Sequence, residues 1–245
     1  IYENNLIIGK ANKLLLPYAK KIFVSYKELN GISNKYKEKI LEIGNIIKKE
    51  IINFKALNSA NFQRSKINLL VLGGSQAAKI FAEVLPNIFK ECSNQNINLK
   101  IYQHCLPSQN EKLKLFYEQN NIEFEIFNFS NKLEEYFSKV ELAITRSGSS
   151  ILAELTNAKI PFISVPLPSS ADNHQLINAT FYQRKNYALL VEEKDLKNKL
   201  LPIIQEIYSD KSFLDRILYN QRQYSDKNVY NNINNFLKKI INEKN

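Results

Sequence analysis

T-R-S-G-S-S-I-L-A-E at residues 145–154, read together with V-P-L-P-S-S-A-D-N-H-Q at 165–175, decides the fold. An apolar run at 140–144 leads into the small-residue turn Arg146-Ser147-Gly148-Ser149-Ser150. A helix is expected next, with Ile151, Leu152 and Leu155 on its apolar side. A strand that ends in a Ser/Gly turn and feeds a helix presents unpaired backbone N–H groups at the helix's positive end, a ready site for a phosphate. Glu154, about one turn further in, can accept hydrogen bonds from sugar hydroxyls beyond the phosphates. Together the two stretches point to a nucleotide-sugar pocket.

Outward from this stretch the same strand–turn–helix unit recurs. Strands are expected at 68–72, 99–103, 123–127, 140–144, 161–165 and 188–191. Helices are expected at 77–90, 111–120, 133–138, 173–184, 196–208, 211–223 and 229–242. Such alternation is the pattern of an α/β protein with a doubly wound parallel sheet, whose ligands gather at the carboxyl ends of the strands. Gly73-Gly74-Ser75-Gln76 and the two opening stretches all fall at such ends. Before residue 67 the pattern is weaker: a helical stretch at 9–19, strands at 22–25 and 40–43, loop at 31–39, and the turn pair Gly44-Asn45. Residues 1–48 show no self-contained core and read as the tail of a domain, followed by a linker over 49–66 that opens with a helical turn at 48–54. A main domain is expected over 67–226 and a terminal helix within 227–245.

The chain has 245 residues, begins with Ile1 and contains no Met, so it is expected to be a piece of a longer protein lacking its N-terminal part. No apolar run approaches the roughly 20 residues needed to cross a bilayer. The two cysteines, Cys92 and Cys105, imply no disulfide framework, and without tight spacing to the two histidines they argue against a structural zinc site. A net charge of +10 suits nucleic acid, an anionic membrane surface or a phosphorylated small molecule. No nucleic-acid-binding signature accompanies the charge, so nucleic acid is not expected as a partner. Lys10, Lys13, Lys20 and Lys21 flank Leu14-Leu15-Leu16. That is either a basic amphipathic helix for an anionic phospholipid surface or the solvated face of a core helix.

Other chemistries are disfavoured residue by residue. Ser75 and Ala78 stand where G-x-G-x-x-G needs glycine, which argues against nicotinamide cofactors. Ser147 lies outside a G-x-S-x-G elbow. No D-x-D pair occurs, so neither a metal nor another cofactor is expected. His104 beside Cys105 has nothing nearby to orient a nucleophile. Arg146 can neutralise a phosphate or pair with an acid such as Glu141. Asp172 and Gln175 can form a capping box at the start of the next helix, while Gln175 or His174 can also face the pocket.

G-G-S-Q-A-A-K at 73–79, T-R-S-G-S-S-I-L-A-E-L at 145–155 and V-P-L-P-S-S-A-D-N-H-Q-L-I-N-A at 165–179 closely resemble the MurG family of UDP-N-acetylglucosamine transferases. Y-E-N-N at 2–5 is similar to that family's H-E-Q-N, and G-N-I-I-K at 44–48 to its G-N-P-V-R. The resemblance covers nearly the whole chain in order. It implies a GT-B fold, with a complete C-terminal Rossmann-like domain, the end of the N-terminal domain, and a last helix that crosses back. The implied reaction is inverting transfer of N-acetylglucosamine from UDP-N-acetylglucosamine to lipid I, giving lipid II for peptidoglycan. The implied place is the cytoplasmic face of the bacterial inner membrane, with peripheral attachment.

Carried over by the resemblance, Asn5 and Lys48 touch the donor from the hinge side, and Ser75 and Gln76 hold the diphosphate. Ser130 lies near the uracil. Ser149, Ser150, Ile151, Leu152, Ala153 and Glu154 cradle the nucleotide, with Glu154 on the ribose, while His174 and Gln175 read the sugar. Departures are Lys48 for the family's Arg, Tyr2 for His and Ala77 for Gly; Ser147-Gly148-Ser149-Ser150 varies on an Ala/Ser-Gly-Ala pattern. The family's G-G-T-G-G-H segment, which supplies its presumed base, is absent, so no catalytic residue is expected in this chain and it is expected to bind donor without transferring it. The alternatives are a non-catalytic subunit of a split glycosyltransferase, or another GT-B enzyme with a different acceptor.

Overall fold

A computed structural model describes residues 1–54 and 66–242, apart from the side chains of residues 75–78 and 211. The expected linker thus lies largely outside the described residues. Two parallel sheets organise the chain. The larger contains β4 (Ile67–Leu72), β5 (Leu99–His104), β6 (Glu123–Phe127), β7 (Leu142–Arg146), β8 (Phe162–Val165) and β9 (Leu189–Leu190). Their order is β6-β5-β4-β7-β8-β9, all parallel, so the order reverses between β4 and β7.

Side chains of successive strand residues point to opposite faces, and both faces are apolar here. Leu69, Val71, Ile101, Ile144 and Ile163 enter one buried cluster, whereas Leu70, Leu72, Tyr102, Ala143 and Phe162 enter the other. The first cluster is closed by α3 (Gly74–Asn94), α4 (Asn110–Gln119), α8 (Leu196–Ser209) and α9 (Asp215–Gln223). The second is closed by α2 (Lys49–Ile52), α5 (Leu133–Phe137), α6 (Ser149–Ala158) and α7 (His174–Arg184). The elements expected after residue 67 are present with shifted ends. The strand expected at 140–144 runs over Leu142–Arg146, with the Glu141 N–H still donating to the Asn68 carbonyl (3.0 Å) and its carboxylate accepting from the Asn68 N–H (2.8 Å). The helix expected at 211–223 opens with a 3-10 turn at Lys211–Leu214 before α9.

Residues 1–48 are more ordered than their sequence suggests. β1 (Tyr2–Glu3), β2 (Ile22–Val24) and β3 (Ile40–Glu42) form a second parallel sheet in that order. Ile8, Leu16, Ile22, Val24 and Leu29 make a core of their own, and 34–39, expected as loop, is a 3-10 turn. The expected long helix shrinks to α1 (Lys10–Leu15), which buries no residue. No described helix is long and apolar enough to cross a membrane.

Gly44-Asn45, expected as a plain turn, is the joint between the sheets. The buried carboxylate of Asp226 accepts from the Asn45 N–H (2.9 Å), Asn45 Nδ2 (3.1 Å), Asn157 Nδ2 (2.7 Å) and the Tyr224 hydroxyl (2.9 Å). Asn157 Oδ1 takes the Asp226 N–H in return (2.9 Å). These bonds tie β3's exit, α6 and the segment after α9 together. From there α10 (Val229–Asn242) lies against the first sheet: Tyr230 donates to the Ile47 carbonyl (2.8 Å), and Phe236 meets Phe23 with centroids 6.2 Å apart.

Gly44 has φ +95°, and a Cβ there would sit 2.6 Å from Asp226 Oδ1. Gly44→Ala should therefore cost about 2 kcal/mol through backbone strain and the clash. Asp226→Ala leaves several buried donors unpaired, at ~1–3 kcal/mol each, and should cost more than about 3 kcal/mol. Urea unfolding measures both; losses below about 0.5 kcal/mol, the range of ordinary surface changes, would refute the assigned role of this joint.

Candidate functional site

The reversal of strand order opens a crevice above the carboxyl ends of β4 and β7, the place where doubly wound sheets hold ligands. Gly73-Gly74 leaves β4 there, and Ser147-Gly148 leaves β7 beside it. The two turns border a cavity of about 720 Å3, which Ser130, Arg146, Ser150, Ile151, Glu154 and Gln175 also line. Gly74 has φ +67° and nothing within 4 Å of a would-be Cβ, so its backbone is open to close approach. The expected diphosphate contacts Ser75 and Gln76 have side chains outside the described residues.

α6 begins at Ser149 after the N-cap Gly148, and the first helical N–H to find a partner is that of Leu152, on the Gly148 carbonyl (3.2 Å). The N–H groups of Ser149, Ser150 and Ile151 are the unpaired ones at the helix's positive end. The Ser149 hydroxyl is buried without a partner. Leu152 and Ala153, expected in the cradle, are fully buried core residues, and helical periodicity turns them away from the cavity.

Glu154 lies one turn in and half-buried, lining the cavity. Burial pushes its carboxyl above the usual range; the Lys48 ammonium pulls it down and the Glu134 carboxylate adds to the rise. Lys48 itself is exposed and donates to the Asn131 carbonyl (2.7 Å), and Asn4 Nδ2 reaches the Ser150 hydroxyl (3.5 Å). The first sheet thus contributes to the rim. Ser130 lines the opposite wall, where its hydroxyl accepts from the Lys132 N–H (3.0 Å). Phe129, 77% exposed, stands beside it as an aromatic face that no sequence pattern marked.

Gln175 does not complete a capping box. Asn173 and Asp172 are both left-handed (φ 54° and 52°), and the N-cap Asn173 makes no side-chain cap; the Ser170 hydroxyl accepts from the Gln175 N–H instead (3.3 Å). Instead Gln175 Oε1 accepts from the Ser147 N–H (3.1 Å) and the Leu167 N–H (3.0 Å), clamping the loops after β7 and β8. Its amide NH2 has no hydrogen-bond partner among the described residues, and Gln175 lines the cavity, so this NH2 can donate to a ligand oxygen. His174 does not line the cavity, and its Nδ1 sits 2.8 Å from the Ala171 carbonyl.

Asn5 also stands back from the cavity. It is held by Glu3, whose buried carboxylate takes the Asn5 N–H (3.1 Å), Gly9 N–H (2.8 Å) and Asn12 Nδ2 (2.9 Å). Asn178, which sequence reasoning missed, links the two halves: its Nδ2 donates to Asn5 Oδ1 (3.1 Å) and the Ser147 carbonyl (3.2 Å).

Arg146 is the last residue of β7 rather than part of the turn, and its acid is Glu193, not Glu141. It also donates to the Val165 and Pro166 carbonyls (3.3 Å each) and stacks over Phe81, 4.8 Å from the ring centre. Its guanidinium is a brace between strand ends, with Nε alone unpaired. Cys105 is no nucleophile: burial pushes the thiol up, and Sγ donates to Asn110 Oδ1 (3.1 Å).

Residues 68–236 match the glycosyltransferase family 28 C-terminal domain. The chain belongs to glycosyltransferase family 28. A similar protein from Pelagibacter ubique (strain HTCC1062) is 37% identical over 99% of this chain and 67% of its own length. It is named UDP-N-acetylglucosamine--N-acetylmuramyl-(pentapeptide) pyrophosphoryl-undecaprenol N-acetylglucosamine transferase. One of the same name from Rickettsia felis is 35% identical over 83% of this chain and 60% of its own length. This family 28 chain thus spans about three-fifths to two-thirds of the length of these relatives. Among solved structures, Acinetobacter baumannii MurG matches with TM-score 0.78 at 22% identity, over 98% of this chain and 66% of the other. S. aureus MnaA, solved with UDP, matches with TM-score 0.65 at 15% identity, over 94% and 63%. The fold is of the GT-B type.

An ionised Glu154 accepts from hydroxyls better than a protonated one. Because its carboxyl is raised, nucleotide affinity should be full near neutral pH. On acidification it should fall at a pH above that of an exposed glutamate. Calorimetry with UDP across pH checks this: Glu154→Gln should remove the inflection and weaken binding about tenfold, in line with ~1.5–3 kcal/mol for a charged hydrogen bond. An unchanged pH profile in that variant would contradict the assignment.

Proposed function

We propose that this chain holds the donor in a transferase that moves N-acetylglucosamine from UDP-N-acetylglucosamine to the lipid-linked acceptor lipid I, yielding lipid II. The observation that carries the reading is the convergence of Gly73-Gly74, the open start of α6 and Glu154 on one cavity. The names of the relatives supply the donor and acceptor. In this reading the unpaired N–H groups of Ser149, Ser150 and Ile151 and the Gly74 backbone take the diphosphate. Glu154 takes the ribose, Ser130 and Phe129 flank the base, and the Gln175 amide meets the sugar.

The acceptor's C4 hydroxyl attacks the anomeric carbon and UDP departs from the opposite face. Charge growing on the departing diphosphate meets fixed N–H dipoles that are already oriented, which lowers the barrier without reorganisation. No residue at the cavity wall is assigned as the base, so the chain alone binds donor without transferring it. Calorimetry should show binding of UDP-N-acetylglucosamine at least tenfold tighter than UDP-glucose, with no lipid II formed by the 245-residue chain. Equal affinity for the two sugars would favour a different GT-B enzyme, and turnover by the chain would overturn the donor-only role.

The same reading places the chain against an anionic phospholipid surface on the cytoplasmic face of the inner membrane. α1 supports it: Leu14, Leu15 and Tyr18 are 76%, 48% and 86% exposed, with Lys10, Lys13, Lys20 and Lys21 around them. α1 itself buries no residue, and of the three leucines only Leu16, just beyond it, enters the core. Each lysine near such a surface contributes about 1 kcal/mol. Reversing Lys13, Lys20 and Lys21 to Glu should therefore weaken binding to phosphatidylserine-containing vesicles by at least about 100-fold in a sedimentation assay. Unchanged binding rejects the surface.

A further inference from the structure

The loops after β1 and β2 face α7 across a second cavity of about 370 Å3, within the size range of small-ligand sites. Its floor is apolar, made by Leu6 and by Ile177 and Phe181 of α7. Its rim is polar and underused. Asn30 is fixed by its backbone, which donates to the Leu6 carbonyl (2.8 Å) and accepts from the Ile8 N–H (3.0 Å). The exposed side chains of Asn30 and Thr180 have no hydrogen-bond partner among the described residues and stand at the rim.

Charge at the rim is unbalanced. Glu28 pairs with Arg184 and also has the Lys185 ammonium 3.7 Å from its other oxygen, so one acid faces two bases. The Arg184 side chain is 61% exposed and stands over the Phe181 ring at 5.7 Å. A ligand carboxylate can take Arg184 while Lys185 keeps Glu28 paired. One helix separates this cavity from the first: Gln175 lines the nucleotide side of α7, and Ile177 and Thr180 line this side.

We propose that this cavity takes the peptide arm of the acceptor, an inference that rests on the transferase reading above. A muramyl group is an acyl group, so its peptide is joined through the amino end and leaves a carboxylate free at the far end. Arg184 receives that carboxylate. The Asn30 amide and Thr180 hydroxyl bond peptide groups, and the apolar floor accepts small aliphatic side chains. A nucleotide suits this cavity less well, since it lies along the flank of α7 and not at a helix N-terminus.

The test titrates the 245-residue chain with N-acetylmuramyl-pentapeptide, N-acetylmuramic acid and UDP, separately, by calorimetry or NMR. The muramyl-pentapeptide should bind at least tenfold tighter than peptide-free muramic acid. Arg184→Glu and Thr180→Trp should each lose tenfold or more for the pentapeptide ligand, with Arg184→Lys losing less. UDP affinity should stay within twofold in all three, which also shows that they fold. Equal binding of the two muramyl ligands, or undiminished pentapeptide binding by both R184E and T180W, overturns the proposal while leaving the donor site standing. Failure of wild type to bind UDP counts instead against the transferase reading.

Discussion

The buried carboxylate of Asp226 is the interaction on which the relative placement of the two sheets depends. It collects donors from the β3 exit, from α6 and from Tyr224, three segments far apart in sequence. A carboxylate removed from water must have its lone pairs filled, and here donors from these segments fill them. Gly44 is required by the same constraint, since any Cβ would collide with Asp226 Oδ1. The consequence reaches the site: once the first sheet is seated here, Lys48 acts on Glu154 and Asn4 meets Ser150.

The cavity follows from topology. Two adjacent parallel strands whose following helices leave toward opposite faces cannot fill the gap above them, and β4 and β7 are that pair. Small residues at both exits keep backbone N–H groups accessible. Arg146 and Gln175 then hold the strand-end loops at fixed spacing, one through carbonyls and Glu193, the other through two N–H groups. The two loops therefore hold their backbone N–H groups at fixed positions around the cavity.

Alternation of apolar strands with amphipathic helices was legible without the structure, because backbone periodicity is a local property. Glu154 was legible too, through its offset from the Ser/Gly turn. Arg146 was not: a basic residue beside a phosphate turn looks like a phosphate ligand, and only the fold brings Glu193 and the β8 carbonyls to it. The Asp172/Gln175 spacing fits a capping box equally well, but the loops after β7 and β8 offer Gln175 better-aligned donors. Asp226 carried no signal, since its Asn45 and Asn157 partners lie 181 and 69 residues away. Glu3 and Asn178 stood inside quoted motifs, but their bonding roles, to Gly9 and Asn12 and to Asn5 and Ser147, appear only in the fold.

A crystal structure of the chain grown with UDP tests the central claim most directly. The diphosphate should lie against the N–H groups of Ser149, Ser150 and Ile151, with both ribose hydroxyls within hydrogen-bond reach of Glu154 and the base beside Ser130. UDP bound elsewhere, or in this cavity with Glu154 turned away from the ribose, would contradict the account.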